Sequence, residues 1–400
     1  MPKEPMLILS PGREKSLLRR HVWIYSGAVS ALEGEVAPGE TVVVADSKRN
    51  FLARAAWSPE SQLVARVWSF DPHERIDADF FMRKIATAIE LRRFLKLDLA
   101  RGGCRLVHSE GDFLPGLIVD RYGEFLVVQF LSNGVEHFRA EIIDALTKLT
   151  KAKGIYERSD VSVRAKENLP PKSGLLAGIE PPNPLIIEEH GAKYAVDVRH
   201  GQKSGFYFDQ RDSRAVLMRF APGKRVLNAF SYTGGFGVAA ALSGAEHVIN
   251  IDSSAPALKL SRHNMEMNKI PSERYENRES DVFAELRAFA EAKRKFDIVV
   301  LDPPKFIESA RALTKGCRAY QDIARLGFGL LNPGGLLFNF SCSGLMTPEL
   351  FQKITADAAL DAGVNGVIVH RLEQAPDHPT NLAVPEGFYL KGLLTRISTD

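Results

Sequence analysis

The chain has 400 residues, of which 45% are hydrophobic and 25% are charged, so it can form two or three domains with ordinary buried cores. Its net charge of +3 permits an anionic partner but does not establish one. The three cysteines, Cys104, Cys317 and Cys342, are far apart and lack metal-ligand spacing, so no disulfide framework and no metal site is indicated, and a reducing cytoplasm fits best.

Residues 1–74 contain short apolar runs separated by Gly, Pro and Asp, a pattern typical of a small β-barrel or sandwich-like module. The first 25 residues combine an excess of basic side chains, among them Arg19 and Arg20, with Trp23 and Tyr25. Basic and aromatic side chains together neutralise phosphates and stack on bases. A solvated basic face over a core that contains Trp23 explains the same residues equally well.

Residues 75–184 have an α+β pattern that contains no catalytic constellation. The spacing predicts a helix over 77–97, a hairpin of strands 116–120 and 125–130, and a helix over 136–148. Three prolines within 181–184 end this block, because proline fits neither a helix interior nor a central strand.

Residues 185–400 begin with a hairpin and a loop that carries Asp209, Gln210 and Arg211. Such side chains can hold the ammonium and carboxylate groups of an amino acid. Helix capping and surface salt bridges explain the neighbouring Asp212 and Arg214.

The stretch 225–242 reads as a strand, a glycine-rich turn at Gly234 and Gly235, and a helix. An ordinary strand-to-helix turn would have the same pattern. Asp252, Asp281 and Asp302 end the three segments that follow, and this repetition predicts a ligand crevice at one edge of a doubly wound, mostly parallel α/β sheet. The stretch 226–245 approaches the length of a membrane span, but its polar residues and glycines favour a strand, turn and helix in water, and no membrane contact is expected.

Cys342 directly follows a predicted strand that ends at Ser341. This position places it at the same sheet edge as Asp302 and Gly234, where a thiol can act as a nucleophile. A free cysteine also occurs as a small buried apolar residue.

Four segments together resemble the class I S-adenosylmethionine (SAM)-dependent methyltransferases: residues 228–236, Asp252, residues 302–306 and residues 341–343. More narrowly, the chain is similar to the bacterial 23S rRNA (cytosine-5)-methyltransferase I family. Residues 12–27 resemble the PUA RNA-binding module of that family, and residues 110–123 resemble its central linking domain. The resemblance implies a PUA-like domain (1–74), a central linking domain (75–184) and a methyltransferase domain (185–400).

The resemblance also implies roles for individual residues. Cys342 would be the nucleophile that adds to C6 of cytosine, and Asp302 would hold the edge of the base. The implied cofactor-binding residues are Asp209, Gln210, Arg211, Asn228, Phe230, Ser231, Tyr232, Thr233, Gly234, Asp252, Ser253, Asp281, Val282 and Asp302. The implied contacts to 23S rRNA are Pro303, Pro304, Lys305, Phe306, Arg19, Arg20 and Trp23.

The chain departs from many RNA cytosine-5 methyltransferases, because it has no second cysteine in the segment Asp302-Pro303-Pro304-Lys305-Phe306. Release of the adduct must then use other groups. The segment also resembles that of enzymes that methylate exocyclic amines, in which an aromatic residue follows the two prolines directly, although here Lys305 displaces Phe306 by one place. Methylation of a ring nitrogen or exocyclic amine of a purine is the alternative reaction. A nicotinamide-dependent dehydrogenase and a non-catalytic rRNA-binding assembly factor are two further alternatives. The oligomeric state stays open, with a homodimer as one expectation.

Overall fold

The computed structural model describes residues 4–97 and 101–398. The chain forms two compact units, and neither is a continuous stretch of sequence. Unit 1 comprises Met1–Leu185, Asp197–Phe206 and Pro376–Gly387, and unit 2 comprises Ile186–Val196, Tyr207–Ala375 and Phe388–Asp400. The segments 197–206 and 376–387 thus group with unit 1, although the sequence places them in the carboxy-terminal domain.

The amino-terminal part of unit 1 is a six-stranded β module. Its sheet has the order β2-β6-β5-β4-β1-β3, in which β1 and β4 are parallel. Alternate residues such as Val42, Val44, Ala53 and Ala55 point into its core, as a half-buried sheet requires. The elements are β1 (Met6–Leu9), α1 (Lys15–Leu18), β2 (Trp23–Ile24), β3 (Val29–Glu33), β4 (Thr41–Ala45), β5 (Phe51–Trp57) and β6 (Ala65–Ser69).

The second part of unit 1 is a five-stranded sheet with helices packed on it. The sheet order is β11-β10-β9-β8-β7. The elements are α2 (Ala78–Phe94), β7 (Gly103–His108), β8 (Leu117–Tyr122), β9 (Phe125–Phe130), α3 (Asn133–His137), α4 (Arg139–Thr150), β10 (Gly154–Ser159) and β11 (Lys172–Gly178). The predicted helix over 136–148 is two helices, which meet at Phe138, whose ring lies 4.9 Å from that of Phe81 in the core.

The two inserted segments of unit 1 supply buried polar partners to this second part. The carbonyl oxygen of Asp377 accepts a hydrogen bond from Arg92 Nη2 at 2.7 Å, and its carboxylate accepts one from the backbone N–H of Arg105 at 2.9 Å. Ser204 bonds to Asp120 and to the hydroxyl of Tyr122. Because unpaired buried polar groups are costly, these bonds hold both segments against this second part of unit 1.

Unit 2 is a seven-stranded sheet flanked by helices, preceded by a hairpin. Its elements are β12 (Leu185–Glu189, of which Leu185 groups with unit 1), β13 (Ala192–Val196), α5 (Arg211–Phe220), β14 (Arg225–Ala229), α6 (Gly235–Leu242), β15 (His247–Asp252), α7 (Ala255–Met267), β16 (Tyr275–Glu279), α8 (Val282–Glu291), β17 (Phe296–Leu301), α9 (Leu313–Gly329), β18 (Leu331–Ser341), α10 (Pro348–Asp361), β19 (Gly366–Glu373) and β20 (Lys391–Ile397). Side-chain caps begin α7, α8 and α10, at Ser254, Asp281 and Thr347.

The order of the large sheet is β16-β15-β14-β17-β18-β20-β19. The five strands β14 to β18 are parallel, and β20 is antiparallel to β18. The direction in which strands are added reverses between β14 and β17, and ligands of such sheets bind at the carboxyl ends of the strands at that point. The predicted doubly wound, mostly parallel sheet is confirmed.

Three asparagines, two buried and one half-buried, connect the first three strands of this sheet. Asn228, Asn250 and Asn277 occupy matching positions in β14, β15 and β16. Asn228 Nδ2 donates to Asn250 Oδ1 at 2.8 Å, and Asn250 Nδ2 donates to Asn277 Oδ1 at 3.0 Å. We call this set the asparagine ladder. Helix α6 packs directly against the asparagine ladder, because a Cβ at Gly237 of α6 would clash with the Asn250 side chain.

The stretch 226–245 folds as the predicted strand, turn and helix. None of the described helices is both long enough and apolar enough to cross a membrane.

Candidate active site

Four of the predicted site segments meet at one edge of the large sheet. Ala229 pairs with Ile251 on one side and with Leu301 on the other, and Leu301 pairs with Asn339. The residues that follow these strands, among them Phe230, Asp252, Asp302 and Cys342, therefore emerge side by side at the carboxyl ends.

The turn after β14 is bent tightly and stabilised by backbone hydrogen bonds. Phe230, Tyr232 and Gly234 all have positive φ angles, of 58°, 48° and 79°. Ser231 N donates to Ile251 O at 2.9 Å, and Gly234 N donates to Ser231 O at 2.8 Å. A Cβ at Gly234 would clash with Ser261, so both its φ and its surroundings require glycine.

Ser231 and Gln210 each bury a polar atom that has no hydrogen-bond partner among the described residues, namely Ser231 Oγ and Gln210 Oε1. Such atoms in a native site are expected to bind a ligand or water. They lie in two segments that the sequence predicts to bind the cofactor, which fits a polar ligand at this edge.

Asp252 accepts a hydrogen bond on each carboxylate oxygen, from Tyr232 N at 2.7 Å and from Ser254 N at 2.9 Å. These bonds fix the carboxylate against the turn. Each oxygen keeps a further lone pair, so the pair of oxygens can accept two vicinal hydroxyl groups of a ribose. The adjacent Ser253 is exposed, and the side chain of Thr233 is buried.

Asp281 begins α8, where its carboxylate accepts from Ala284 N at 2.9 Å. The next residues are the buried Val282 and the half-buried Phe283. The ring of Phe283 lies 6.4 Å from Phe230 and 6.1 Å from Phe306. These three rings give this part of the edge an apolar, aromatic character that suits a flat heterocycle.

The loop before α5 places its polar side chains among buried partners. Asp209 Oδ2 accepts from the Tyr389 hydroxyl at 2.6 Å, and Gln210 Nε2 donates to Asp302 Oδ2 at 3.1 Å. Arg211 Nε lies 3.6 Å from Glu189 Oε2. Gln210 thereby links the predicted cofactor loop to the predicted catalytic carboxylate.

Arg214 does not form the surface salt bridge that the sequence suggests. It is buried and donates two hydrogen bonds to Glu189, from Nε at 2.6 Å and from Nη2 at 2.9 Å. The partner belongs to β12, and a residue 25 positions earlier in the chain gives no spacing signal. This paired geometry is the strongest that arginine and a carboxylate form.

Tyr207 is a site residue that the sequence analysis missed. Burial raises the pKa of its hydroxyl above the usual range, and the negative groups Asp302, Asp209, Cys342 and Asp252 raise it further. The predicted catalytic and ribose-binding residues therefore all raise the pKa of the same tyrosine. Its position in an aromatic run before Asp209 was the available signal.

Ser343, the residue after Cys342, fixes the path of the chain beyond β18. Its Oγ lies 3.0 Å from the Tyr320 hydroxyl and accepts from Ile307 N at 3.3 Å. Its carbonyl oxygen accepts from Lys391 Nζ at 2.7 Å. Tyr320 and Lys391 were also missed, because they lie on α9 and β20, far from Cys342 in sequence.

The segment after β17 is partly open to solvent. Pro303 is buried, Pro304 and Lys305 are exposed, and the ring of Phe306 lies 4.8 Å from Tyr320. The predicted cofactor residue Asn228 lies within β14 and uses its side chain in the asparagine ladder.

The remaining predicted RNA contacts belong to unit 1. Arg19 and Arg20 are exposed, and the Arg20 guanidinium lies 4.7 Å from the centre of the Phe70 ring. Trp23 is half-buried, and its indole N–H donates to Glu110 at 2.9 Å.

Comparison with known proteins agrees with this geometry. A family model described as S-adenosylmethionine-dependent methyltransferase matches residues 105–396, and one described as a PUA-like domain matches residues 7–70. Ribosomal RNA large subunit methyltransferase I of Salmonella arizonae is 50% identical over 396 residues, which cover 99% of this chain and 98% of that protein. The protein of the same name from Erwinia tasmaniensis is 50% identical over 391 residues, which cover 98% and 99%.

Two solved structures share the fold. A Streptococcus mutans protein assigned as a SAM-dependent methyltransferase has a TM-score of 0.84 at 25% identity, and the alignment covers 98% of this chain and 99% of that chain. A methyltransferase structure in complex with SAH has the same TM-score of 0.84 at 24% identity, with the same coverage of 98% and 99%.

These matches confirm the predicted fold class, a class I methyltransferase sheet with an amino-terminal PUA-like domain, and they confirm SAM as the cofactor. They exclude the nicotinamide alternative. The chain belongs to the S-adenosylmethionine-dependent methyltransferase family, together with the proteins named ribosomal RNA large subunit methyltransferase I.

Proposed function

We propose that the chain methylates C5 of a cytosine in 23S rRNA through a covalent bond between the Cys342 sulfur and C6 of the base. The observation that carries this proposal is the placement of Cys342 and Asp302. They follow neighbouring parallel strands, and both raise the pKa of Tyr207 at the edge where the glycine-rich turn lies. The name of the relatives at 50% identity supports large-subunit rRNA as the substrate.

Cytosine C5 is a poor nucleophile, and the proposed role of Cys342 follows from that. Addition of the thiolate forms a bond from sulfur to C6 and moves an electron pair to C5. Bound SAM would supply the methyl group that C5 accepts, and S-adenosylhomocysteine would be its leaving group. A base then removes the C5 proton, the bond between sulfur and C6 breaks, and the thiolate is regenerated.

Asp302 holds the N3 and N4 edge of the base in this proposal. A carboxylate can accept hydrogen bonds from the exocyclic amine, and it stabilises the adduct by fixing the ring. Gln210 orients it, through the bond of 3.1 Å from Nε2 to Oδ2. The loop 209–211 and Asp252 then hold the two ends of the cofactor, and Asp281 and Val282 flank its adenine.

The proposed RNA contacts fall into two groups. Arg19, Arg20 and Trp23 of the PUA-like domain bind structured rRNA, and residues 303–306 contact the target nucleotide once it is flipped out. The proposed domains are residues 1–74, 75–184 and 185–400, and the proposed location is the cytoplasm.

The test is covalent trapping with a 23S rRNA fragment that contains 5-fluorocytidine, in the presence of SAM. Fluorine at C5 blocks the final elimination, so the adduct should persist and migrate as a protein–RNA complex under denaturing conditions. Cys342→Ala should abolish this complex. Cys317→Ala is the matched control, because Cys317 is the other half-buried cysteine among the described residues, and it should leave trapping intact.

The alternatives give different results in the same assay. If Cys342→Ala methylates rRNA as well as the parent protein, the thiol is not the nucleophile. Methyl label on a purine, located by mass mapping of nucleotides, would support the ring-nitrogen or exocyclic-amine reaction. Binding of rRNA without any methyl transfer would support the assembly factor.

A further inference from the structure

Lys391 is a buried lysine beside the proposed nucleophile. It is the first residue of β20 and pairs with Ser341, the last residue of β18 and the neighbour of Cys342. Its surface is 4% exposed, which is unusual for lysine, because burying an ammonium group is costly unless an anion offsets the loss of hydration.

Two backbone carbonyls fix the position of the Lys391 nitrogen. Nζ donates to Ser343 O at 2.7 Å and to Tyr389 O at 2.7 Å. A neutral amine has two N–H groups and one lone pair, and an ammonium has three N–H groups. The two carbonyls thus account for both donors of the neutral amine and leave one position on the nitrogen for a proton to be exchanged.

Two titratable groups act on Lys391, the thiol of Cys342 and the ammonium group of Lys305. Burial lowers the pKa of Lys391 to about 8, negative charge at Cys342 raises it, and Lys305 lowers it further. Among the groups that act on Lys391, Cys342 is the one whose anionic form raises its pKa. A carboxylate of the proposed site, Asp302, follows β17, the strand that pairs with β18, and must also be considered in the pH profile. Conversely, a charged Lys391 favours the Cys342 thiolate.

We propose that Lys391 is a positioning residue that keeps Cys342 in its nucleophilic form, by taking the thiol proton on Nζ and holding the resulting thiolate as an ion pair. In this step the S–H bond breaks and an N–H bond forms, so that the proton and charge balance without another reactant. The proposal rests on the proposed function in assigning the nucleophile.

Other titratable groups face this pair and must be considered in any pH profile. Tyr320 on α9 bonds to Ser343 and is affected by charge at Cys342. Negative charge at Cys342 also raises the pKa of Tyr207, which precedes α5. Lys305, which follows β17, lowers the pKa of Lys391. Both tyrosines have raised pKa values because of burial, so they stay neutral around pH 7 to 9 and do not supply a competing charge.

The test measures the rate of Cys342 alkylation by iodoacetamide as a function of pH, without RNA, and reads each cysteine separately by peptide mass spectrometry. Only the thiolate reacts. We expect Lys391→Met to move the midpoint of the Cys342 profile up by at least about one pH unit, a roughly tenfold slower reaction at pH 7. Lys391→Arg should keep a low midpoint, because it retains a cation. The reactivity of Cys317 should be the same in all three proteins.

An unchanged Cys342 midpoint in folded Lys391→Met would overturn the proposal. A second measurement covers the case in which that variant does not fold. In protein labelled with ¹³C-lysine, NMR titration should show a lower Lys391 pKa in Cys342→Ala than in the parent, and an unchanged value would also overturn the proposal. Because neither measurement uses RNA, a failure of the methylation proposal alone would leave both results in place.

Discussion

Asp252 is the proposed ribose-binding carboxylate, and backbone N–H groups on both sides of it hold it in place. Its two carboxylate oxygens accept backbone N–H groups from both sides, from Tyr232 in the turn and from Ser254 at the start of α7. Hydrogen bonds to an ionised group are stronger than those between neutral groups. The carboxylate is therefore held in place before any ligand arrives, which lowers the entropy lost on binding.

We expect Asp252→Asn to weaken the binding of SAH by roughly 10- to 100-fold, because an amide replaces one acceptor oxygen with a donor and removes the negative charge. Isothermal titration calorimetry would measure the change. Asp144→Asn is the control, since it makes the same chemical change at an exposed carboxylate on α4, which belongs to unit 1. Equal affinity of the Asp252 variant and the parent would show that this carboxylate does not hold the ribose.

At the residue level, the sequence identified those side chains whose position follows directly from a strand end. Asp252, Asp302 and Cys342 each come after an apolar run, and parallel strands bring such ends together. Tyr207, Glu189 and Lys391 could not be found in this way. They belong to a loop, a hairpin and an antiparallel strand, and the local sequence does not show which residues these elements contact in the folded chain.

The asparagine ladder is the main polar feature of the strands that carry the glycine-rich turn. Asn228 and Asn250 are buried, Asn277 is half-buried, and each amide is bonded to the next across β14, β15 and β16. Such a chain of bonds sets the relative register of three parallel strands, because a shift by one residue would leave buried amides unpaired. The register in turn decides that Phe230 and Asp252 emerge side by side.

We expect Asn250→Ala to lower the free energy of unfolding by about 1–3 kcal/mol, since it leaves the buried Asn228 donor without its partner, whereas Asn277 Oδ1 still accepts from Ser261 Oγ at 3.4 Å. Urea unfolding followed by circular dichroism would measure this. Asn365→Ala, at an exposed asparagine, should change stability by less than about 0.5 kcal/mol. A loss at Asn250 no larger than that of the control would show that the ladder contributes nothing.

Among the elements, the buried strands were predictable and the edges of the sheet were not. β14, β15 and β17 are short runs in which half or more of the residues are apolar, whereas β16 reads Tyr-Glu-Asn-Arg-Glu and lacks an apolar face. β19 is largely exposed, so its sequence has no alternation that would indicate a strand. The antiparallel strand β20 follows the segment 376–387, which belongs to unit 1. No local sequence pattern indicates that the chain rejoins the large sheet after that segment.

At the scale of the whole molecule, the chain passes between its two units five times, at 185/186, 196/197, 206/207, 375/376 and 387/388. A chain that ends at residue 206 keeps every segment of unit 1 except 376–387. It therefore lacks Asp377, whose backbone and side chain bond to Arg92 and Arg105.

We expect the fragment 1–206 to unfold at a lower temperature than unit 1 does in the full chain, because Arg92 and Arg105 lose buried partners worth about 1–3 kcal/mol each. A synthetic peptide of residues 376–387 should raise the Tm of the fragment in differential scanning fluorimetry. The same peptide with Asp377→Ala should raise it less. Identical melting with and without either peptide would show that the segment does not stabilise unit 1.

This connectivity has a consequence for biosynthesis. Domains near the amino terminus usually fold while the rest of the chain is still being translated. Here the last piece of unit 1, residues 376–387, is synthesised only after the long unit 2 segment 207–375. Until residues 376–387 are synthesised, Arg92 and Arg105 lack the hydrogen bonds that Asp377 accepts from them. A premature stop codon after residue 206 would remove those bonds permanently.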